Sequence, residues 1–194
     1  MLFQEFNIHL QFKIKVMKKF AFVIVICLLS VSSIFSQNLK WENDEEKSYQ
    51  VPVGLCTWED LTQSEFNGLL KEYSLDVVLN ADATVKLAKV LESQSNTKYE
   101  IDAYFGAWDE ESLKQLPHFY AFVMTMGAKY QQPIEYKFIG CNREYNNGFN
   151  DMVPPTLPYF AIYRLANGQR TLIGEINEQP KLSFEEDVLN IIKR

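Results

Sequence analysis

Histidine and cysteine are scarce in this sequence, which has two histidines and three cysteines among 194 residues. So few of the usual zinc ligands do not build a cysteine–histidine cluster of ordinary spacing, and no metal site or cofactor is predicted. Basic residues are also in the minority, 19 against 25 acidic ones, for a net charge of −6. Because nucleic-acid binding depends on neutralising phosphates with lysine and arginine, the composition argues against a nucleic-acid partner.

Long hydrophobic runs are missing as well. The longest, residues 20–29, has ten apolar residues, whereas a membrane span needs about 20. It follows Met17-Lys18-Lys19 and leads into a stretch of small residues that ends at Ser36, which is the organisation of a secretory signal peptide. We therefore predict a signal peptide over residues 17–36 and a periplasmic or secreted mature chain with no membrane span.

The residues before Met17 need a separate interpretation. Residues 6–16 alternate apolar and polar side chains, a pattern that indicates a strand. A secretion signal normally lies at the N-terminus, so we interpret residues 1–16 as preceding the true start at Met17. The alternative is that residues 1–36 together form one long basic leader.

The remaining chain, residues 37–194, is acidic, with 15 basic and 24 acidic side chains. Residues 37–50 are predicted to be a loose polar arm. In the whole sequence 47% of residues are hydrophobic and 14% aromatic, which is enough to bury a core. After cleavage of the leader only Cys56 and Cys141 remain, in a compartment where disulfides persist. Two alternatives remain for these cysteines: one disulfide that pins the residues near Cys56 to the core, or two free thiols.

Hydrophobic periodicity predicts a helical segment over residues 51–97 and then alternating strands and helices. Within the segment, helices are predicted at residues 57–73 and, after an Asp82 cap, at 83–91. From residue 98 the predicted elements are a strand at 98–105, a helix at 109–127, a strand at 134–140, a loop at 141–155, strands at 159–164 and 170–176, and a helix at 183–192. This order predicts an α/β fold in which helices flank a mixed sheet.

Four local features carry a resemblance to the thioredoxin family. Phe105-Gly106-Ala107-Trp108 stands where thioredoxins have a strand end and the tryptophan before their redox-active pair. Pro117 matches the helix-kinking proline, Leu157-Pro158 the cis-proline that faces the active site, and Asn167-Gly168 the following hairpin turn. The sequence resembles exported thioredoxin-like proteins over about residues 51–192. The resemblance implies a thioredoxin-like sheet with an N-terminal helical extension.

The resemblance also implies that the redox chemistry is lost. In the family a cysteine at a helix N-terminus is held as a thiolate, and a second cysteine resolves the mixed disulfide. Here Asp109 and Ser112 occupy those positions, and Ala103 stands in place of a buried acid. Asp109 is instead expected to cap the helix, with Ser112 in a reciprocal contact. Glu110 and Glu111 fall in the first turn, where negative charge contributes about 0.3–1 kcal/mol each.

Two interpretations of this segment follow, and neither assigns a catalytic residue. The first is an ordinary helix start. The second is a retained groove, lined by Trp108, Asp109 and the backbone of Leu157 and Pro158, that binds extended peptide by strand-like pairing. The predicted function is a non-catalytic peptide- or protein-binding, chaperone-like module whose partner is an extended peptide or an envelope protein. The alternatives are a thiol–disulfide oxidoreductase acting through Cys56 or Cys141 and a purely structural envelope domain.

Overall fold

The structure is a computed structural model that describes residues 39–194. The predicted signal peptide and the residues before Met17 lie outside the described residues. The strands are β1 (Lys40–Asp44), β2 (Tyr49–Cys56), β3 (Lys98–Phe105), β4 (Glu135–Gly140), β5 (Tyr159–Ala166) and β6 (Gln169–Asn177). The helices are α1 (Trp58–Thr62), α2 (Asn67–Ser74), α3 (Ala81–Ser93), α4 (Glu110–Ala128) and α5 (Phe184–Ile192). No helix in this part of the chain has the length and apolar character to cross a membrane.

The six strands form one mixed sheet in the order β1-β2-β4-β3-β5-β6. Strands β3 and β4 are parallel, joined through α4, whereas the other neighbouring pairs are antiparallel. The predicted α/β class, with helices flanking a mixed sheet, is therefore confirmed. The elements predicted from residue 98 onward are all present, with small changes in their bounds.

The main core lies between the sheet and the helices, and all five described helices contribute to it. Alternate residues of β3 face this side, from Tyr99 through Ile101 to Phe105. A smaller cluster lies on the opposite face, where Tyr104 and Ile139 pack with residues of the loop 141–158. In the described residues this second cluster contains no helical residue, so a loop covers that part of the sheet.

The residues before the first helix differ from the prediction. A polar arm over 37–50 and a helical segment beginning at 51 are wrong for residues 40–56, because β1 and β2 form an antiparallel hairpin there. Val51 and Val53 are buried, while Asp44 accepts hydrogen bonds from the amides of Glu46 and Lys47 in the turn at 3.1 and 2.8 Å. One acidic residue of the predicted polar arm, Asp44, therefore holds the hairpin turn with its side chain.

Two helix predictions also need correction. The single helix predicted over 57–73 is two helices, and the first begins at a capping box between Thr57 and Asp60. Helix α3 is capped by Asn80, which accepts a hydrogen bond from the Ala83 amide at 3.1 Å. Asp82, predicted as the cap, lies in the first turn instead.

Candidate functional site

The N-terminal end of α4 is held by side-chain hydrogen bonds. The Asp109 carboxylate accepts from the Ser112 amide at 2.8 Å, which confirms the predicted cap. The Ser112 hydroxyl is buried and accepts from the Gly106 amide at 3.2 Å, so the predicted reciprocal contact with Asp109 is wrong. Both side chains are thus committed to fixing the turn between β3 and α4.

The neighbouring carboxylates do not converge on a common point. Glu110 pairs with Lys114 at 2.8 Å and Glu111 accepts from Gln115 at 2.8 Å, each one turn along α4. The Lys114 hydrogen bond lowers the pKa of exposed Glu110. Successive helical residues point about 100° apart, so these groups form neither an acid–base pair nor a cation cage. Among residues 39–194, no three histidine, cysteine or acidic side chains are grouped to hold a metal ion.

Trp108 folds back over the chain and contacts the loop 141–158. A Cβ at Gly106 would lie 2.7 Å from the indole ring, so the absence of a side chain at that position allows the fold-back. The indole Nε1 donates to the Cys141 carbonyl at 3.1 Å. The Arg143 guanidinium lies 5.0 Å from the ring centroid, and the Tyr145 ring meets the indole edge-on at 6.3 Å. We call Trp108, Arg143 and Tyr145 the Trp108 surface.

Arg143 ties this surface to the β1–β2 hairpin. Its Nε and Nη2 donate to the two Asp44 carboxylate oxygens at 2.7 and 3.0 Å, and its Nη1 lies 2.9 Å from Glu46. The Arg143 hydrogen bond holds the pKa of Asp44 below its usual range. The Tyr49 hydroxyl donates to the Ala107 carbonyl at 3.0 Å, beside Trp108. Arg143 and the hairpin were missed in the sequence because Arg143 and Asp44 are 99 residues apart.

Leu157 lies in the smaller cluster on the loop side of the sheet, and Trp108 packs against both clusters. The peptide bond between Leu157 and Pro158 is cis. The Pro158 carbonyl accepts from the Glu178 amide at 2.8 Å. That acceptor is therefore already used within the chain, and a bound peptide would need other backbone groups of this loop.

Cys56 and Cys141 are both free and buried. They belong to different clusters, Cys56 on the helical side of the sheet and Cys141 on the loop side, so the disulfide alternative is wrong for this structure. Burial raises the pKa of the Cys141 thiol to about 12 and also raises that of Cys56. Cys141 nevertheless lies close to the Trp108 surface, because its carbonyl accepts the indole hydrogen bond.

We predict that both thiols are unreactive in the folded protein. A thiol pKa of about 12 leaves roughly a thousandfold less thiolate at neutral pH than an ordinary cysteine has, and burial blocks the reagent. Dithionitrobenzoate added to a chain carrying Cys27→Ser should label neither thiol in buffer and both in 6 M guanidinium. One thiol that reacts within seconds in the native protein, or an intact mass lower than that of the dithiol form by two hydrogen atoms, would contradict this.

Two surface grooves lie away from the N-terminal end of α4. The larger, about 620 Å³, runs between β6 and α5. Its charged lining residues, Glu175, Asp187, Lys181 and Arg194, balance in sign, and its lining contains no serine, threonine, cysteine or histidine. The smaller, about 330 Å³, lies beside Trp58 and α2. The Trp108 surface is a better candidate than either groove because aromatic and arginine side chains meet there with fixed geometry.

No protein-family model, no curated protein and no solved structure matches this chain.

Proposed function

We propose that this protein is an exported, non-catalytic binding module of thioredoxin-like ancestry that recognises an extended peptide segment through the Trp108 surface. The proposal rests on the side-chain cap at the N-terminal end of α4. Where a thioredoxin needs a thiolate, a carboxylate caps the helix with a 2.8 Å hydrogen bond. A carboxylate forms no exchangeable bond with a disulfide sulfur, so the position supports a structural or binding role.

The composition of the Trp108 surface supports binding. Tryptophan, tyrosine and arginine are the residue types most enriched among the energetically dominant positions of protein interfaces, and here one of each meets at a single place. The loop that presents Arg143 and Tyr145 is braced by asparagines. Asn142 accepts from the amides of Glu144 and Asn146, at 3.1 and 3.0 Å. A surface held in this way loses little conformational entropy when a partner binds.

One observation favours the oxidoreductase alternative, namely the position of Cys141 beside Trp108. Against it, the Cys141 side chain is fully buried and its pKa is raised to about 12. The other thiol, Cys56, faces the opposite side of the sheet and cannot resolve a mixed disulfide formed on Cys141. If the alternative were right, the protein would accelerate insulin reduction by dithiothreitol, and Cys141→Ala would abolish the acceleration.

Peptide selection tests the binding proposal. A display library of extended peptides is panned against the full chain, and enriched peptides are titrated by calorimetry into the wild type, Trp108→Ala and Trp41→Ala. Trp41, on β1, is 38% exposed and packs near Phe66, so it is a matched control outside the Trp108 surface. Trp108→Ala should weaken binding at least about tenfold, and Trp41→Ala by less than about twofold.

Two results would contradict the proposal. In the first, the library yields no peptide with measurable affinity for the wild type. In the second, enriched peptides bind Trp108→Ala as tightly as they bind the wild type, and Trp108→Ala and Trp41→Ala both unfold at the wild-type temperature. The second result would place the binding site in another part of the molecule.

A further inference from the structure

We propose that Arg143 makes the Trp108 surface selective for a carboxylate of the bound peptide, which takes the place of Glu46 on the guanidinium. This inference rests on the proposed function, since it names the ligand chemistry of the same site. It follows from how the donors of Arg143 are divided between two carboxylates of its own chain.

The first half of the guanidinium is fixed. Nε and Nη2 form a bidentate pair with Asp44, whose side chain is 2% exposed. The Asp44 carboxylate is itself held by the amides of Glu46 and Lys47. Breaking a buried, bidentate pair leaves an uncompensated charge and is strongly unfavourable. Asp44 is therefore a positioning residue that keeps the plane of Arg143 in place over Trp108.

The second half of the guanidinium is exchangeable. Nη1 pairs with Glu46 at 2.9 Å, and the Glu46 side chain is 72% exposed. An exposed ion pair of this kind is weak, because solvent screens the charges and the long side chain loses rotamer freedom. A carboxylate from a partner can replace Glu46 without disturbing Asp44. In the unbound protein Glu46 acts as an intramolecular substitute for that ligand.

The surroundings of Nη1 define the rest of the ligand. The guanidinium lies against the Trp108 ring, and Tyr145 meets that ring edge-on. A ligand carboxylate on a short apolar stem would place its charge on Arg143 and its stem on the indole. Glutamate and aspartate side chains have this form. A neutral or basic residue would leave the Arg143–Glu46 pair intact and gain only the aromatic contact.

Other charges near the site act on the ligand as well. Glu42 accepts from Asn142 at 3.3 Å, and Glu45 is an exposed acid in the same turn as Glu46. The two acids repel an acidic peptide, whereas Lys47, an exposed base in the same turn, attracts it. The selectivity therefore has to be measured against a variant that removes the same charge elsewhere in the turn.

The test uses a matched pair of blocked peptides, acetyl-Gly-Glu-Gly-amide and acetyl-Gly-Gln-Gly-amide, titrated into the ¹⁵N-labelled full chain. The indole N–H resonance of Trp108 reports binding, and Trp108→Phe assigns it. The glutamate peptide should bind several-fold more tightly than the glutamine peptide. Glu46→Gln should tighten its binding about threefold. The control Glu45→Gln, which removes the same charge from the adjacent residue of the turn, should have a clearly smaller effect.

The outcomes separate this inference from the proposed function. Equal affinities for the two peptides, or equal effects of Glu46→Gln and Glu45→Gln on the affinity for the glutamate peptide, would overturn the proposed role of Arg143. Neither result would contradict the proposal that the Trp108 surface binds peptide. If neither these peptides nor any library peptide binds, both proposals fail. Arg143→Gln should abolish the preference for glutamate, but it also leaves Asp44 unpaired. Glu46→Gln and its control Glu45→Gln change exposed side chains and are expected to preserve the fold, so their comparison decides the question.

Discussion

Gly140→Ala is expected to lower the free energy of unfolding by about 3 kcal/mol, at the upper end of what overpacking costs. A Cβ at position 140 would lie 2.1 Å from the carbonyl oxygen of Pro52. If the obstructing atom belonged to a side chain, that side chain could rotate away. The Pro52 carbonyl is backbone, and it cannot move without breaking the pairing of β2 with β4 around Gly54 and Gly140. The substitution therefore acts directly on the attachment of the N-terminal hairpin.

Gly127→Ala is the matched control for this prediction. Gly127 lies in α4, and an added Cβ there would meet no atom within 4 Å other than those of its chain neighbours and the nearby backbone of its own helix. Replacing an unobstructed helical glycine with alanine stabilises a helix by up to about 1 kcal/mol. Guanidinium unfolding of both variants measures the difference, and similar stabilities for the two would contradict the close approach of β2 and β4.

The same variant connects the fold to the proposed site. Strand β2 pairs with β1, whose last residue, Asp44, holds Arg143 over Trp108. If Gly140→Ala detaches β2 while the rest of the sheet survives, Arg143 loses its positioning residue. Peptide binding through the Trp108 surface should then weaken together with the hairpin.

The elements from residue 98 onward could be predicted because each carries a local signal. Side chains alternate along β3, and Asn167-Gly168 adopts the left-handed conformations of a tight hairpin, with φ of 53° and 74°. The cap at Asp109 could also be read directly, since an acidic residue just before an apolar period is a typical helix start. In these cases the residues that decide the structure are close together in the chain.

The hairpin before α1 had no comparable signal. Its acidic turn looks solvated in the sequence, but Asp44 is buried by Arg143, which is 99 residues away. Pro52 and Gly54 also interrupt the alternation that would have indicated β2. The presence of Trp108 in the candidate site was predicted, whereas Arg143 and Tyr145 were not. Their placement depends on the loop conformation, in which Tyr145 has a φ of 63°.

Four charged side chains, two acidic and two basic, form a ring of ion pairs on the loop-facing side of the sheet. Arg170 pairs with Glu100 at 2.7 Å and with Asp102 at 2.5 Å. Lys137 pairs with the same two carboxylates at 2.8 and 3.5 Å. The Arg170 guanidinium also lies 3.3 Å from the centroid of the Tyr163 ring. The ring joins β3 and β4 to the edge strand β6 across β5.

Arg170→Ala should therefore cost about 3 kcal/mol at pH 7, the lower limit for breaking a buried pair. Asp102 is 1% exposed and would keep only the longer contact to Lys137. The effect stays near that limit because Arg170 is 39% exposed and solvent screens part of its charge. Arg164→Ala is the control: Arg164 is an exposed arginine on β5 with no ion pair among the described residues. It should change stability by less than about 0.5 kcal/mol.

The pH dependence of this loss distinguishes a charge effect from lost packing. Burial raises the pKa of Asp102 above its usual value even with both cations present. A carboxyl whose pKa is higher in the folded than in the unfolded protein binds its proton more tightly in the folded state. It therefore stabilises the fold at pH values below the pKa it has in the unfolded chain. This stabilisation disappears as the pH rises through the pKa it has in the folded protein. Removing Arg170 raises that pKa further, so the difference in unfolding free energy between wild type and variant should shrink as the pH falls from 7 toward 4. A difference that stays constant over this range would mean that Arg170 stabilises the sheet through its contact with Tyr163 rather than through its charge.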